Sequence, residues 1–502
     1  MKSFLIIPMG GAGRRFVKAG YRTYKPFLPA EDKFTILDNI IKNFKGLNSQ
    51  LIVLANLKSL KKRNLNYLKK KRCKIIDIPN HNKGPLYSIF LGLREINKII
   101  KDNHHIFICY SDINWAWKAK SVTKKILNTN AAIFTHTGFH PHLHVNSQSD
   151  FCLKKNNKIF SISEKKTFGA DYQSELLAIG CYYIKKLNYL NNFFSKNKLK
   201  NKKEYYLTTF VKHLLKNRTN IKSINVEKFV HLGTPDQYED YLKWRKHILE
   251  LENLFRKKPK TKSTIMLMGG KGRRLSGITN FKPFLLVNNK PIFKLIFDNL
   301  NSKEKIIITN NYFKKKLIKK NYKIIFVKQT KSMFDTIYES RNVVQNKSNY
   351  FLTSCDCIGI ADNKTLSVFL KKNKKDLVFF AFKFSYLQKS LGNSHTQLII
   401  NKNKVTNVKV KSKYNALGYG HAGFFWIKST KVFKYLDFFK NSNSYKNLKR
   451  EVLIDDYFKF LVIKKLISTN HFLLEDYIHI GSEKEYREYN YWNNYFNEKK
   501  LA

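Results

Sequence analysis

The chain has 502 residues, 43% of them hydrophobic, enough to bury the cores of more than one domain. Its 95 Lys and Arg against 35 Asp and Glu give a formal charge of +60. The positive residues are mostly lysines spread through nearly every segment, which argues against a dedicated polynucleotide-binding module and suits a solvated surface that attracts phosphorylated small molecules. The apolar runs are far shorter than a membrane span, no charged leader with a cleavage site precedes Phe4–Met9, and the six scattered cysteines form no CxxC pair. A cytoplasmic protein with no membrane or nucleic-acid partner is therefore expected.

Taken in chain order, FLIIP reads as a short buried strand and runs into Gly10, Gly11 and Gly13, then Arg15 and the Lys25-Pro26 pair. Glycines let the backbone approach a ligand closely with its N–H groups aimed at phosphate oxygens, and an arginine fork suits a polyphosphate. TILDNIIKNF follows, with Leu37, Ile40, Ile41 and Phe44 on one helical face, then the strand LIVLAN. Next come KIIDIP, the loop KGPLYS with Gly84 and Pro85, a helix through LYSIFLGLREINKII, and the strand HIFICY ending at Ser111-Asp112. THTGFHPHLH, with His136, His140, His142 and His144, is read as an irregular turn rather than a zinc site, and His140 or His142 as a residue near the substrate. SEKK from Ser163 to Lys166 and EYYLTTFVKHLL precede the closing FVHLGTPDQYEDY.

The second half repeats the order. Gly269, Gly270, Gly272 and Arg274 stand where Gly10, Gly11, Gly13 and Arg15 stand, Lys282-Pro283 recurs, Phe293, Ile296, Phe297 and Leu300 repeat the helical face, and YIHIGSEKEYREY echoes the closing segment. A repeat of this length is a whole domain, so domains are expected over 1–248 and 263–502, joined by 249–262, where RKKPKTKS with Pro259 marks an exposed linker. The strand–helix alternation predicts an α/β fold, with ligands bound beyond the carboxyl ends of the strands. Cys355 and Cys357, flanking Asp356, are expected to be small buried hydrophobes.

GGAGRRF…YKPF and GGKGRRL…FKPFLLVNNKP resemble the signature of the sugar-phosphate nucleotidylyltransferases, or NDP-sugar pyrophosphorylases, once per half. The resemblance implies two tandem Rossmann-like α/β/α sandwich domains of the GT-A type with mixed, mostly parallel sheets. It implies a Mg²⁺-dependent transfer of a nucleoside monophosphate from an NTP to a sugar 1-phosphate, releasing pyrophosphate, in precursor synthesis for a surface polysaccharide or glycan. Arg15, Lys25 and Asp112, with Arg274, Lys282 and Asp356, would be catalytic. Gly10, Gly11, Gly13, Gly84 and Pro85, with Gly269, Gly270 and Gly272, would bind the nucleotide. Glu164, Lys165 and Gly180 would bind the sugar phosphate, and Asp112, Asp356 and Asp456 (or Asp455) the metal. Either a homo-oligomer or an intramolecular pseudo-dimer would be consistent with the tandem.

The departures are specific. Tyr24 replaces the proline before Lys25, Glu31-Asp32-Lys33 replaces GKP, and Thr209 stands where a second metal-binding aspartate is expected. The second half reads VKVK from Val408 where the first reads ISEK, and Ser332 stands in its nucleotide loop in place of glycine. The first half is thus expected to be the better equipped for a sugar phosphate; the alternatives are one catalytically dead, regulatory half, transfer to a phosphorylated alcohol such as phosphocholine, a GT-A glycosyltransferase, or a non-catalytic polynucleotide binder.

Overall fold

The computed structural model describes residues 2–500 except 32, 118, 144–148, 170–172, 198, 200–203, 256–260, 271–280, 288, 318–321, 329, 385–394, 414 and 416–417. The chain divides into two compact units, Met1–Trp244 and Arg245–Ala502. The division falls within the helix Pro235–Phe255, a few residues before the expected end of the first domain.

In the first unit a nine-stranded sheet runs, in spatial order, Lys74–Asp77, Ser49–Ala55, Ser3–Pro8, His105–Cys109, Leu176–Ile184, Ala131–His136, Ile221–Asn225, Lys158–Ser163 and Phe151–Lys155. The first four strands are mutually parallel. The long Leu176–Ile184 strand enters antiparallel between His105–Cys109 and Ala131–His136, so the sheet is mixed and only its first part is parallel throughout. The apolar run FLIIP explains why the central strand is covered on both faces. Phe4 and Ile6 join the cluster beneath the Pro85–Ile99 helix, and Leu5 and Ile7, pointing the other way, are equally buried.

The Ile36–Phe44 helix starts at a capping box: Thr35 Oγ1 accepts from the Asp38 N–H at 3.1 Å, and Asp38 accepts from the Thr35 N–H at 2.9 Å. Its expected face is buried at Leu37, Ile40 and Phe44, with Ile41 at the margin.

The second unit, taken by itself, has strands ordered Lys323–Phe326, Ser302–Thr309, Thr261–Met268, Tyr350–Ser354, Tyr419–Ile427, Leu377–Phe382 and Thr469–Leu473, with the hairpin Gln397–Asn401 and Lys404–Lys409 on the Tyr419–Ile427 strand. Its parallel and antiparallel pairings follow the same succession as the first seven strands of the first unit. Phe293, Ile296, Phe297 and Leu300 are all buried, as their spacing predicts.

Two glycines position the first unit's site by backbone geometry. Gly84 has φ +82°, and a Cβ there would lie 2.6 Å from the Tyr205 carbonyl oxygen. Gly180 has φ +88°, with a Cβ 2.6 Å from the Tyr110 ring. Gly84→Ala is expected to destabilise the first unit by about 2 kcal/mol, the scale of strain in a glycine-only backbone region. Gly11→Ala, where a Cβ meets nothing within 4 Å, should stay within about 0.5 kcal/mol. Urea unfolding of the two variants measures the difference.

Candidate active site

The glycine loop leaves the carboxyl end of Ser3–Pro8, and Gly13, at φ +60°, caps the short helix Arg14–Lys18. Gly10 is buried because a Cβ would lie 2.7 Å from His81 Nε2 and 2.9 Å from Ser88 Oγ. Arg15 is exposed, with its side chain available to solvent. Tyr24, the departure from proline, explains itself here. Its hydroxyl donates toward the Met9 carbonyl at 2.5 Å and the Gly11 carbonyl at 2.7 Å, so it ties the loop down from below. A cavity of about 220 Å³ lies against the loop, lined in part by Gly11, Gly13, Tyr24, Lys25, Asn56 and Asn80.

The next residue supplies the charge. Lys25 Nζ lies 2.9 Å from Asp112 Oδ2, across 87 positions of sequence, with both side chains 19% exposed. Burial alone would raise the Asp112 carboxyl, but the Lys25 ammonium and then His231 hold it below its ordinary value of 3.8. The Asp112 turn is closed by the end of the unit. Leu232 N–H donates to the Asp112 carbonyl at 2.7 Å, and Lys228–His231 pairs antiparallel with Ile113–Ala116. Burial first, and then Lys25 against the opposing Asp112, holds the His231 imidazole below its ordinary range.

The expected Glu-Lys pair sits at the end of the Lys158–Ser163 strand. Glu164 Oε2 accepts from Thr208 Oγ1 at 2.7 Å. Lys165, at φ +54°, places its ammonium 4.3 Å over the Tyr206 ring and 3.3 Å from Glu204 Oε2. Its backbone N–H donates to Asp150 Oδ1 at 2.9 Å, and burial pushes that carboxyl up to about 6. Gly84 and Pro85 open the Pro85–Ile99 helix, and Gly180 abuts Tyr110, two residues before Asp112.

Asp112 offers a hard oxygen ligand, and Thr209 supplies no second carboxylate. The donor set therefore fits Mg²⁺ held by one carboxylate and completed by water and substrate phosphate, the usual manner for this ion.

The second unit uses its residues differently. Lys282 pairs with Asp356 Oδ2, His479 Nε2 approaches the same oxygen at 3.4 Å, and Ser354 Oγ donates to Oδ1 at 2.7 Å. Burial opposes ionisation of Asp356, yet Lys282 and His479 bring it well below the ordinary range. Both its oxygens are thus engaged by protein donors, a poor fit to Mg²⁺. Asp456 accepts from Arg450 through both oxygens, at 2.7 and 2.9 Å, and from the Leu453 N–H at 2.8 Å as a helix cap. Asp455 instead pairs with His421 Nδ1 at 2.9 Å. Ser332 caps the Met333–Glu339 helix where Gly84 opens its counterpart. Gly269 and Gly270 follow the Thr261–Met268 strand, while Gly272 and Arg274 lie outside the described residues.

Several placements were not foreseen. His140 and His142 are buried at 0% and 2% exposure, and His142 Nε2 meets Asp240 Oδ2 at 3.1 Å, which takes both rings off the surface where a sugar could be read. Phe229, whose ring lies tilted against His140 and whose carbonyl is 3.2 Å from His140 Nε2, comes from the closing segment, so this pairing is invisible in local sequence. His144 lies outside the described residues. All six cysteines are free; Cys357 is buried as expected, whereas Cys355 is only half-buried. Asp150, His231 and Tyr24 were missed as site residues. Only His231 carried a signal, as the first polar residue of the repeated HLG and HIG segments.

A glycine loop at the carboxyl edge of parallel strands and a lysine–aspartate pair after a later strand put the first unit's charged groups at the sheet edge where α/β folds bind ligands. Residues 5–145, within the first unit, match the MobA-like NTP transferase domain. Similar solved structures include a nucleoside-diphosphate-sugar pyrophosphorylase from Vibrio cholerae (18% identity, 48% of this chain and 99% of that one, TM-score 0.39). Another is an inositol-1-phosphate CTP transferase from T. maritima (15%, 47% and 96%, TM-score 0.38). A UDP-glucose pyrophosphorylase complexed with UDP-glucose is a third (17%, 48% and 97%, TM-score 0.38). No curated protein matches the chain.

Since Lys25 is the largest influence lowering the Asp112 carboxyl, Lys25→Met should raise its titration. A depressed carboxylate stabilises the fold above its unfolded pKa and loses that contribution as pH falls through its folded one. Acid unfolding of Lys25→Met, followed by circular dichroism, is expected to start at a higher pH than that of the parent chain.

Proposed function

We propose that the first unit transfers a nucleoside monophosphate from an NTP to a sugar 1-phosphate, yielding an NDP-sugar and pyrophosphate for surface polysaccharide or glycan synthesis. The observation that carries this reading is the Lys25–Asp112 pair at the foot of the glycine loop. A phosphate oxygen of the sugar 1-phosphate attacks the α-phosphorus in line while the bond to the bridging β-oxygen breaks, so the protein has to align two anions and spread their charge. The loop N–H groups and Arg15 hold the β- and γ-phosphates that leave as pyrophosphate. Lys25 neutralises charge at the reacting phosphate, and Glu164 and Lys165 orient the sugar hydroxyls and its phosphate. Mg²⁺ on Asp112 would supply further charge neutralisation between the phosphates.

The first unit is assigned the chemistry because it alone carries a Glu-Lys pair at this position after the strand; the position of Glu164 is Val410 in the second. The second unit, whose Asp356 is already saturated by Lys282, His479 and Ser354, is assigned a supporting role.

Pyrophosphate release, measured over a panel of NTPs and sugar 1-phosphates, tests the reaction; no release with any pair would overturn it. Asp112→Ala should lower kcat at least about 100-fold, the scale of losing one preorganised electrostatic group, and Asp356→Ala should retain most activity. The reverse pattern would move the chemistry to the second unit. Tyr24→Phe, which frees the glycine loop, is expected to raise KM for the NTP up to about tenfold, the equivalent of roughly one lost hydrogen bond. Lys165→Ala should instead raise KM for the sugar phosphate.

A further inference from the structure

We propose that the second unit holds a transition-metal ion, Zn²⁺ by its ligand chemistry, on His395, His479 and Glu485. The three side chains arrive from separate segments: just before the Gln397–Asn401 strand, the end of the Asp476–His479 strand and the first turn of the Glu483–Lys500 helix. One donor atom from each lies within 4.8 Å of the other two. His479 Nδ1 is 2.6 Å from Glu485 Oε1, His395 Nε2 is 3.8 Å from the same oxygen, and the two imidazole centroids are 5.4 Å apart. His395 and Glu485 are each 5% exposed and the His479 side chain is 13% exposed, so the cluster is mostly buried with one partly open member.

Two imidazoles and one carboxylate form a donor set for zinc and its neighbours in the first transition row, whereas Mg²⁺ takes oxygen. The surroundings are those of a metal's outer shell. Ser482 Oγ, at 2.7 Å, and the Gly481 N–H, at 3.2 Å, both donate to Glu485 Oε2 and turn Oε1 toward the histidines. On the far side of its ring, His479 presents Nε2 to Asp356 Oδ2 at 3.4 Å, the carboxylate–histidine arrangement that fixes the orientation of a ligating imidazole. Asp356 is itself braced by Lys282 and Ser354. Binding replaces the hydrogen bond between His479 Nδ1 and Glu485 Oε1 by two metal–ligand bonds, and its proton leaves to water. The first unit has no counterpart of the carboxylate: Gln237, which accepts from the Thr234 N–H in the same helix-opening turn, is a neutral amide beside His231.

The full chain, stripped with chelator and titrated with Co²⁺, should develop visible ligand-field bands and retain one equivalent through gel filtration, with Zn²⁺ displacing it. His395→Ala and Glu485→Gln should each weaken retention at least about 100-fold, a loss no smaller than that of an outer-shell partner. Asp112→Ala, in the first unit, should leave it unchanged. Absence of a retained equivalent, or retention by His395→Ala with an unaltered spectrum, would overturn the site. Near-UV circular dichroism checks folding, and should Glu485→Gln fail to fold, His395→Asn carries the same comparison. Metal retention is read without turnover, so failure of pyrophosphate release would overturn the proposed reaction and leave this result standing.

Discussion

A buried carboxylate at the end of a parallel strand is tolerable only if a cation meets it, and in both units the lysine of a Lys-Pro turn does so. Lys25 with Asp112 and Lys282 with Asp356 fasten the segment after the glycine loop to the carboxyl edge of the sheet. Everything else at the site is arranged around that tie. The closing turn of each unit packs onto the same aspartate, the Leu232 N–H donating to the Asp112 carbonyl and the Ile480 N–H to the Asp356 carbonyl.

The two units differ in what they add to this common frame. In the first, burial leaves His231 without a carboxylate on its helix-opening turn, since Gln237 occupies that place. In the second, Glu485 and Asp356 flank His479 and outweigh burial, so that its imidazole is pushed up to about 9 while Glu485 is drawn down to about 2. Where the first unit has Gln237 the second has Glu485, so that His479 sits between two carboxylates, with Lys282 on the far side of Asp356.

Much of this was legible in the sequence because it rests on local rules. Apolar runs such as FLIIP announced buried strands, and the spacing of Phe293, Ile296, Phe297 and Leu300 announced a helix face. What escaped depends on partners brought together from afar. Tyr24 looked like a defect of the motif until its hydroxyl was seen on the Met9 and Gly11 carbonyls. Asp150 looked like an ordinary polar residue, yet it holds the Lys165 backbone. The histidines after residue 135 looked like a loop, but Asp240, about 100 positions on, draws His142 into the interior. The mixed direction of the sheet was expected from the family resemblance rather than from local composition, because strand polarity follows from the path of the chain between strands.

The Asp112 turn is closed by residues 228–232, which sit near the end of the first unit. That placement has a consequence in time as well as in space. During synthesis the glycine loop, Lys25 and Asp112 all emerge long before their clamp, and contacts of such sequence separation form late in folding. The nascent chain therefore carries the glycine loop, Lys25 and Asp112 without their clamp until almost the whole unit has left the ribosome.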